Sequence, residues 1–236
     1  MSEQNIEITS FLMVGQSNMA GRGELDRVPP IRNPKCFMFR MGMWQHMSEP
    51  INPDNAIFEG RYRSGVSLAA SFADEYAKHF NENIGLIPCA VGGTEIDLWQ
   101  PGEILFENAI VNTRIAMKTS RLGGILWHQG ESDCYDFDPD VYAKNLLNVV
   151  DGFRKTLGNE KLPFVMGEIS EDIAEKWGLG DNPKRLNALL RSIKDTIPYC
   201  ELALANDLVL KDDGVHFDAP SCRTFGKRYF DAYMKI

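Results

Sequence analysis

The sequence predicts an α/β fold, a three-layer sandwich in which helices cover both faces of a mostly parallel sheet. Two observations point to it. Short apolar runs alternate with amphipathic segments along the chain. No internal repeat, low-complexity tract or Pro-, Gly- or Ser-rich linker interrupts that alternation. The 236 residues suffice for one α/β domain with a full core, so residues 1–236 are expected to form a single domain.

The elements follow in order. The run Ile8–Val14 is the first strand and stops at "GQSN", Gly15 to Asn18. Cys36–Phe39 reads as the second strand. The segment Met41–Arg63, rich in Pro and Asn, reads as a long surface loop, and long loops in compact domains are often functional. Val66–Phe80 is a helix: Leu68, Phe72, Tyr76 and Phe80 recur every four residues, and Ala69 and Ala73 widen the stripe. Strands are then expected over Ile84–Val91, Gly124–His128, Phe164–Ile169 and Leu202–Ala205. Helices are expected over Ile104–Thr119, Pro139–Leu157, Pro183–Thr196 and Ser221–Met234.

Composition narrows the function. The net charge of -8 and pI near 5.1 disfavour non-specific nucleic-acid binding and anionic membranes. No apolar run approaches the roughly 20 residues of a membrane helix. The segment "MSEQNIEITS" has no basic n-region and no apolar h-region, so no signal peptide is expected. The cysteines, Cys36, Cys89, Cys134, Cys200 and Cys222, are odd in number and form no C-x-x-C pair. They read as buried free thiols in a reducing compartment, the cytoplasm. No spacing among these cysteines and His46, His79, His128 and His216 matches a zinc site. The acidic run "DCYDFDPD" lacks the glycine and glutamate of a calcium loop. No metal or cofactor is therefore expected.

Ligands of a parallel sheet bind beyond the C-terminal strand ends. Four polar clusters gather there: "GQSN", the "GGT" of Gly92–Thr94, the "HQGES" of His128–Ser132, and "DDGVHFD" of Asp212–Asp218. A serine hydroxyl attacks only when a base takes its proton, and that base is a histidine held by a carboxylate. Ser17, His216 and Asp213 can fill those roles, with Gly214 allowing a tight turn between acid and base. Taken singly, "GQSN" could be a helix cap and "DGVH" an ordinary turn; their combination, in the order Ser, Asp, His, favours catalysis. The elbow G-x-S-x-G is absent, because Met19 stands where it needs glycine. Donors for an oxyanion are the amides of Ser17, Gly92 and Gly93 and the carboxamide of Gln129. His128 is expected to support its loop, and Cys134 to be buried. Trp44 and Trp99 read as core or as sugar-stacking residues.

The blocks "GQSNMAGRG", "GGTEIDLW", "WHQGESD" and "DGVHF" resemble the signatures of the SGNH hydrolase superfamily. More narrowly, they resemble its branch of sialate O-acetylesterases and family 6 acetylxylan esterases. The resemblance spans Gly15 to His216 and implies a flavodoxin-like α/β/α fold without a metal. It implies Ser17 as nucleophile, His216 as base, Asp213 as orienting acid, and Gly92 or Gly93 with Gln129 in the oxyanion hole. It adds Glu131 as a supporting acid for His216; Gln16, Arg22 and Trp99 are expected near the rim where the first strand ends, as substrate contacts. The expected partner is a small acetylated molecule such as a sugar. The rival readings are a carbohydrate-binding protein without turnover and a lipase or thioesterase on the same fold.

Overall fold

The computed structural model describes residues 7–53 and 63–236. Residues 1–6 and 54–62 lie outside it, and with them the start of the N-terminal segment and the middle of the expected Met41–Arg63 loop. Seven strands form one sheet: β1 (Ile8–Gly15), β2 (Cys36–Arg40), β3 (Met43–His46), β4 (Asn83–Pro88), β5 (Arg121–His128), β6 (Phe164–Gly167) and β7 (Cys200–Ala203). The helices are α1 (Ser17–Ala20), α2 (Leu68–Phe80), α3 (Ile104–Ala116), α4 (Pro139–Leu157), α5 (Ile173–Trp177), α6 (Asn182–Ile193) and α7 (Ala219–Tyr233). Among the described residues, no helix is long and apolar enough to cross a membrane.

The strand order is β3-β2-β4-β1-β5-β6-β7, parallel throughout except for β3. Every residue of β1 is buried, because the strand sits at the centre between β4 and β5. Its side chains alternate between two cores. Phe11 and Met13 join the residues of α2 and α7, such as Phe72 and Phe225. Leu12 and Val14 join those of α3, α4 and α6, such as Phe106, Phe153 and Leu186. Helices thus cover both faces, as the alternation of elements predicts.

The expected loop is only partly a loop. Met43–His46 is an antiparallel edge strand, joined to β2 through Met41 and Gly42. Both turn residues have positive φ, 52° and 78°, which is the twist a two-residue hairpin needs. The first position of such a turn usually holds Asn, Asp or Gly, so a methionine there hid the hairpin.

The helix ends follow local chemistry. The Ser67 side chain caps α2 by accepting from the Ala69 amide. Asp138 accepts from the amides of Asp140 and Val141 ahead of Pro139 in α4, and Gly158 ends that helix in the left-handed region.

Candidate active site

Because the strands run parallel, the segments after β1, β4, β5 and β7 meet at one edge. Gly15 ends β1 with φ of 117°, and a β-carbon on it would lie 2.0 Å from the His128 carbonyl oxygen. Only glycine allows β1 and β5 to close there, and the chain then turns directly into Ser17, the first residue of α1. The first amides of a helix have no acceptor within it, so the Ser17 N–H is available to a ligand.

The loop from Leu210 to Phe217 brings His216 to this serine. It closes on a bridge between Leu210 and Phe217 and on the bond from the Lys211 amide to the His216 carbonyl, 2.8 Å. Asp213 Oδ1 accepts from the amides of Val215 (3.0 Å) and His216 (2.9 Å). Its Oδ2 stands 2.9 Å from His216 Nδ1. That bond assigns the proton of the neutral ring to Nδ1 and leaves Nε2, 2.9 Å from Ser17 Oγ, to accept. Burial pushes the Asp213 carboxyl upward, but the two amides and the imidazole outweigh it and hold the group below the usual carboxylate range.

A cavity of about 760 Å³ opens at this edge, with Gln16, Ser17, Arg22, Gly92, Gly93 and His216 in its wall. Gly92 lies against Ser17: a β-carbon there would come 3.4 Å from Ser17 Cβ and 2.9 Å from Arg22 Nη2. Gly93, with φ of 72°, faces open space. Of the two glycines, Gly92 is the one beside Ser17.

Three expectations need correction. Gln129 does not reach the cavity. It is fully buried, and its amide nitrogen donates to the Thr94 carbonyl (2.9 Å) and to Asp133. Its oxygen accepts from Tyr142 Oη at 3.0 Å. These bonds seal the side chain beneath the rim, so it braces the loop and leaves no donor for an oxyanion. Glu131 does not touch His216. Its Oε1 accepts from Asn18 Nδ2 (2.6 Å) and stands 3.1 Å from His128 Nε2. The buried carboxyl is driven up by desolvation, yet His128 and Asn18 bring it below its ordinary value. Trp99 is wholly buried and donates from Nε1 to Thr94 Oγ1 at 3.0 Å. It is a core residue and is absent from the cavity wall. Trp44 packs edge-on against Phe39, and it too is absent from the cavity wall.

Other residues of the rim are placed as follows. Gln16 lines the cavity; its Oε1 accepts from the amides of Gly130 and Ser132, both at 3.3 Å. His128 is buried between Glu131 and Tyr229 and supports its loop. Cys134 is buried, and burial pushes its thiol well above the ordinary range. Four residues went unread in the sequence. Asn18, beside Ser17, bonds the backbone around His216; Lys211, Tyr135 and Trp177 line the cavity. Their types are unremarkable in sequence, and only the meeting of distant loops marks them. Among the described residues, no three His, Cys, Asp or Glu side chains converge as a metal-ligand set.

Comparison with known proteins gives the family. Residues 7–235 match the family model described as carbohydrate esterase, sialic acid-specific acetylesterase. A probable carbohydrate esterase of Arabidopsis thaliana is 30% identical over 244 residues, covering 95% of this chain and 89% of that protein. The X-ray structure of that Arabidopsis protein superimposes with a TM-score of 0.84 at 26% identity, over 96% of this chain and 98% of the other. The structure of NanS gives 0.73 at 16% identity, over 98% and 97% of the two chains. A lipase/acylhydrolase of Enterococcus faecalis gives 0.57 at 12%, over 95% and 94%. The last two likenesses speak for the shared SGNH-type fold alone. The chain belongs to the sialic acid-specific acetylesterase family of carbohydrate esterases and is a carboxylic ester hydrolase.

Proposed function

We propose that the protein is a serine O-acetylesterase acting on an acetylated sugar, with Ser17, His216 and Asp213 as its triad. The observation that carries this reading is the unbroken path from Ser17 Oγ through the His216 ring to Asp213, with both links at 2.9 Å.

His216 Nε2 takes the serine proton as Oγ bonds the ester carbonyl carbon. The carbonyl oxygen becomes an oxyanion. The amides of Ser17 and Gly92 stabilise it, joined by the Gln16 carboxamide. Gln16 suits this role: its oxygen is turned toward two backbone amides, and its nitrogen makes no hydrogen bond among the described residues. The intermediate collapses when the alcohol oxygen leaves with the proton from Nε2, and acetyl remains on Ser17. Water then attacks, gives a proton to His216, and acetate leaves as Ser17 recovers that proton. Asp213 stays ionised throughout, fixes the tautomer and stabilises the imidazolium.

The assembled serine and histidine weigh against a binding-only role. The cysteines, unpaired throughout, support the cytoplasm as the site of action. The test is a panel of acetylated sugars and of esters with longer acyl chains, run on the wild type and Ser17→Ala. Ser17→Ala is expected to fold and to lose roughly 10⁴–10⁶ in kcat. A fluorophosphonate should label the wild type once and the variant not at all. Unchanged turnover in Ser17→Ala, or faster turnover of octanoyl than acetyl esters, would overturn the reading.

A further inference from the structure

Two aromatic side chains at the cavity have no part in the reaction as described. Trp177 is 46% exposed and Tyr135 58% exposed, and both line the cavity wall. A large aromatic left half in water at the wall of a catalytic cavity forfeits apolar burial, so its position calls for a ligand.

The place of Trp177 says which part of a substrate it meets. It ends the short helix α5, whose neighbours Ile173 and Leu179 are buried and anchor it to the body of the protein. The preceding residue, Lys176, ties α5 to the loop of the acid and base. Its stem runs over Gly214, where a β-carbon would lie 2.3 Å from Lys176 Cδ, and its Nζ donates to the Asp212 carbonyl. Trp177 thus lines the cavity from an element tied to the loop of His216. His216 hands its proton to the departing alcohol oxygen, so the alcohol half of the ester must lie on the His216 side. The acetyl half lies toward Gly92 and Gln16, where the oxyanion forms.

We propose that Trp177, joined by Tyr135 from the segment after β5, is the stacking platform for the pyranose ring of the leaving sugar. The inference rests on the acetylesterase reading above and sharpens it. One face of a pyranose is a patch of C–H groups, and the negative face of an aromatic ring attracts such weakly positive hydrogens while removing them from water. An acyclic alcohol has no such patch.

The experiment uses the full chain with mono-O-acetyl methyl pyranosides and with ethyl acetate, which delivers the same acyl group without a ring. The readout is the ratio of kcat/KM for pyranoside over ethyl acetate. Trp177→Ala is expected to lower that ratio about tenfold, mainly through KM, with Trp177→Phe retaining most of it. Tyr135→Ala should act in the same direction. A wild type that cleaves pyranosides, with an unchanged ratio in Trp177→Ala, would overturn the platform and leave the acetylesterase reading standing. Equal losses on both substrates would also overturn it, by making Trp177 a brace for the His216 loop. A wild type active on ethyl acetate but on no pyranoside would overturn the sugar reading and the platform together.

Discussion

Asn18 donates to the Glu131 carboxylate at 2.6 Å, and that bond aims an amide that grips the chain on both sides of His216. Asn18 Nδ2 also donates to the Val215 carbonyl at 3.1 Å, and its Oδ1 accepts from the Phe217 amide at 3.1 Å. Glu131 thus acts on the base only through Asn18. Asp213→Asn should cost about 10⁴ in kcat, because the wrong tautomer is then favoured. Glu131→Gln disturbs only placement and should cost of order 10² or less. It should also lower stability by about 1–3 kcal/mol, because its amide nitrogen takes the place of Glu131 Oε2, which has no hydrogen-bond partner, and is left a buried donor without an acceptor. Steady-state kinetics on both variants, with urea unfolding, checks this; equal kcat losses would mean that both carboxylates serve the imidazole.

The two glutamines near the serine should separate by phenotype. Gln16→Ala removes a proposed oxyanion donor and should lower kcat by about 10²–10³ with KM little changed. Gln129→Ala strips partners from buried Tyr142 and Asp133 and should show first as lost stability, about 1–3 kcal/mol for each group left unpaired. Kinetics beside a denaturation curve for each variant decides it. A stable Gln129→Ala with the larger kcat loss would refute the assignment of Gln16.

The neighbouring glycines make a second such pair. Gly92→Ala places a methyl against Ser17 and the Arg22 guanidinium, so it should lower kcat about tenfold or more. Gly93→Ala meets no atom but must hold φ near 72°, and it should cost roughly 1 kcal/mol of stability with activity largely kept. Thermal melts and ester turnover distinguish the two outcomes.

Asp133 carries a pH signature of its own. Burial raises its carboxyl to about 6, against the opposing bonds from Gln129 and the Ile96 amide. The ordinary value is near 4, so between about pH 4 and pH 6 the folded protein holds this proton and the unfolded chain does not. Its contribution to stability is therefore present below about pH 4 and falls as pH rises through 6, by up to about 3 kcal/mol. Asp133→Asn should lose this slope, whatever its absolute stability. Unfolding free energies measured from pH 4 to 7 for both proteins test it; an identical slope would assign the effect to another group.

Much of this was legible in the chain. Buried parallel strands read as continuous apolar runs, so β1 and β6 stand out, and α4 announces itself with Asp138, Pro139 and Gly158. The pairing of Asp213 with His216 was legible because a three-residue spacing across Gly214 lets one turn join them. The short helices α1 and α5 were not, since four or five residues carry no measurable period. Nor could pattern separate Gln16 from Gln129, or Trp177 from Trp99. Each pair shares a residue type, and burial was decided by partners far along the chain, such as Tyr142 for Gln129 and Thr94 for Trp99.

The distance along the chain between Ser17 and His216, 199 residues, bears on how the enzyme comes into being. A ribosome adding about 5–20 residues per second makes the serine roughly 10–40 s before the histidine that activates it. Through that interval the nascent chain carries an inert hydroxyl. Activity switches on only after the closing loop has emerged and docked against the first strand's end. With the proposed triad, ester turnover therefore requires a chain extended past His216.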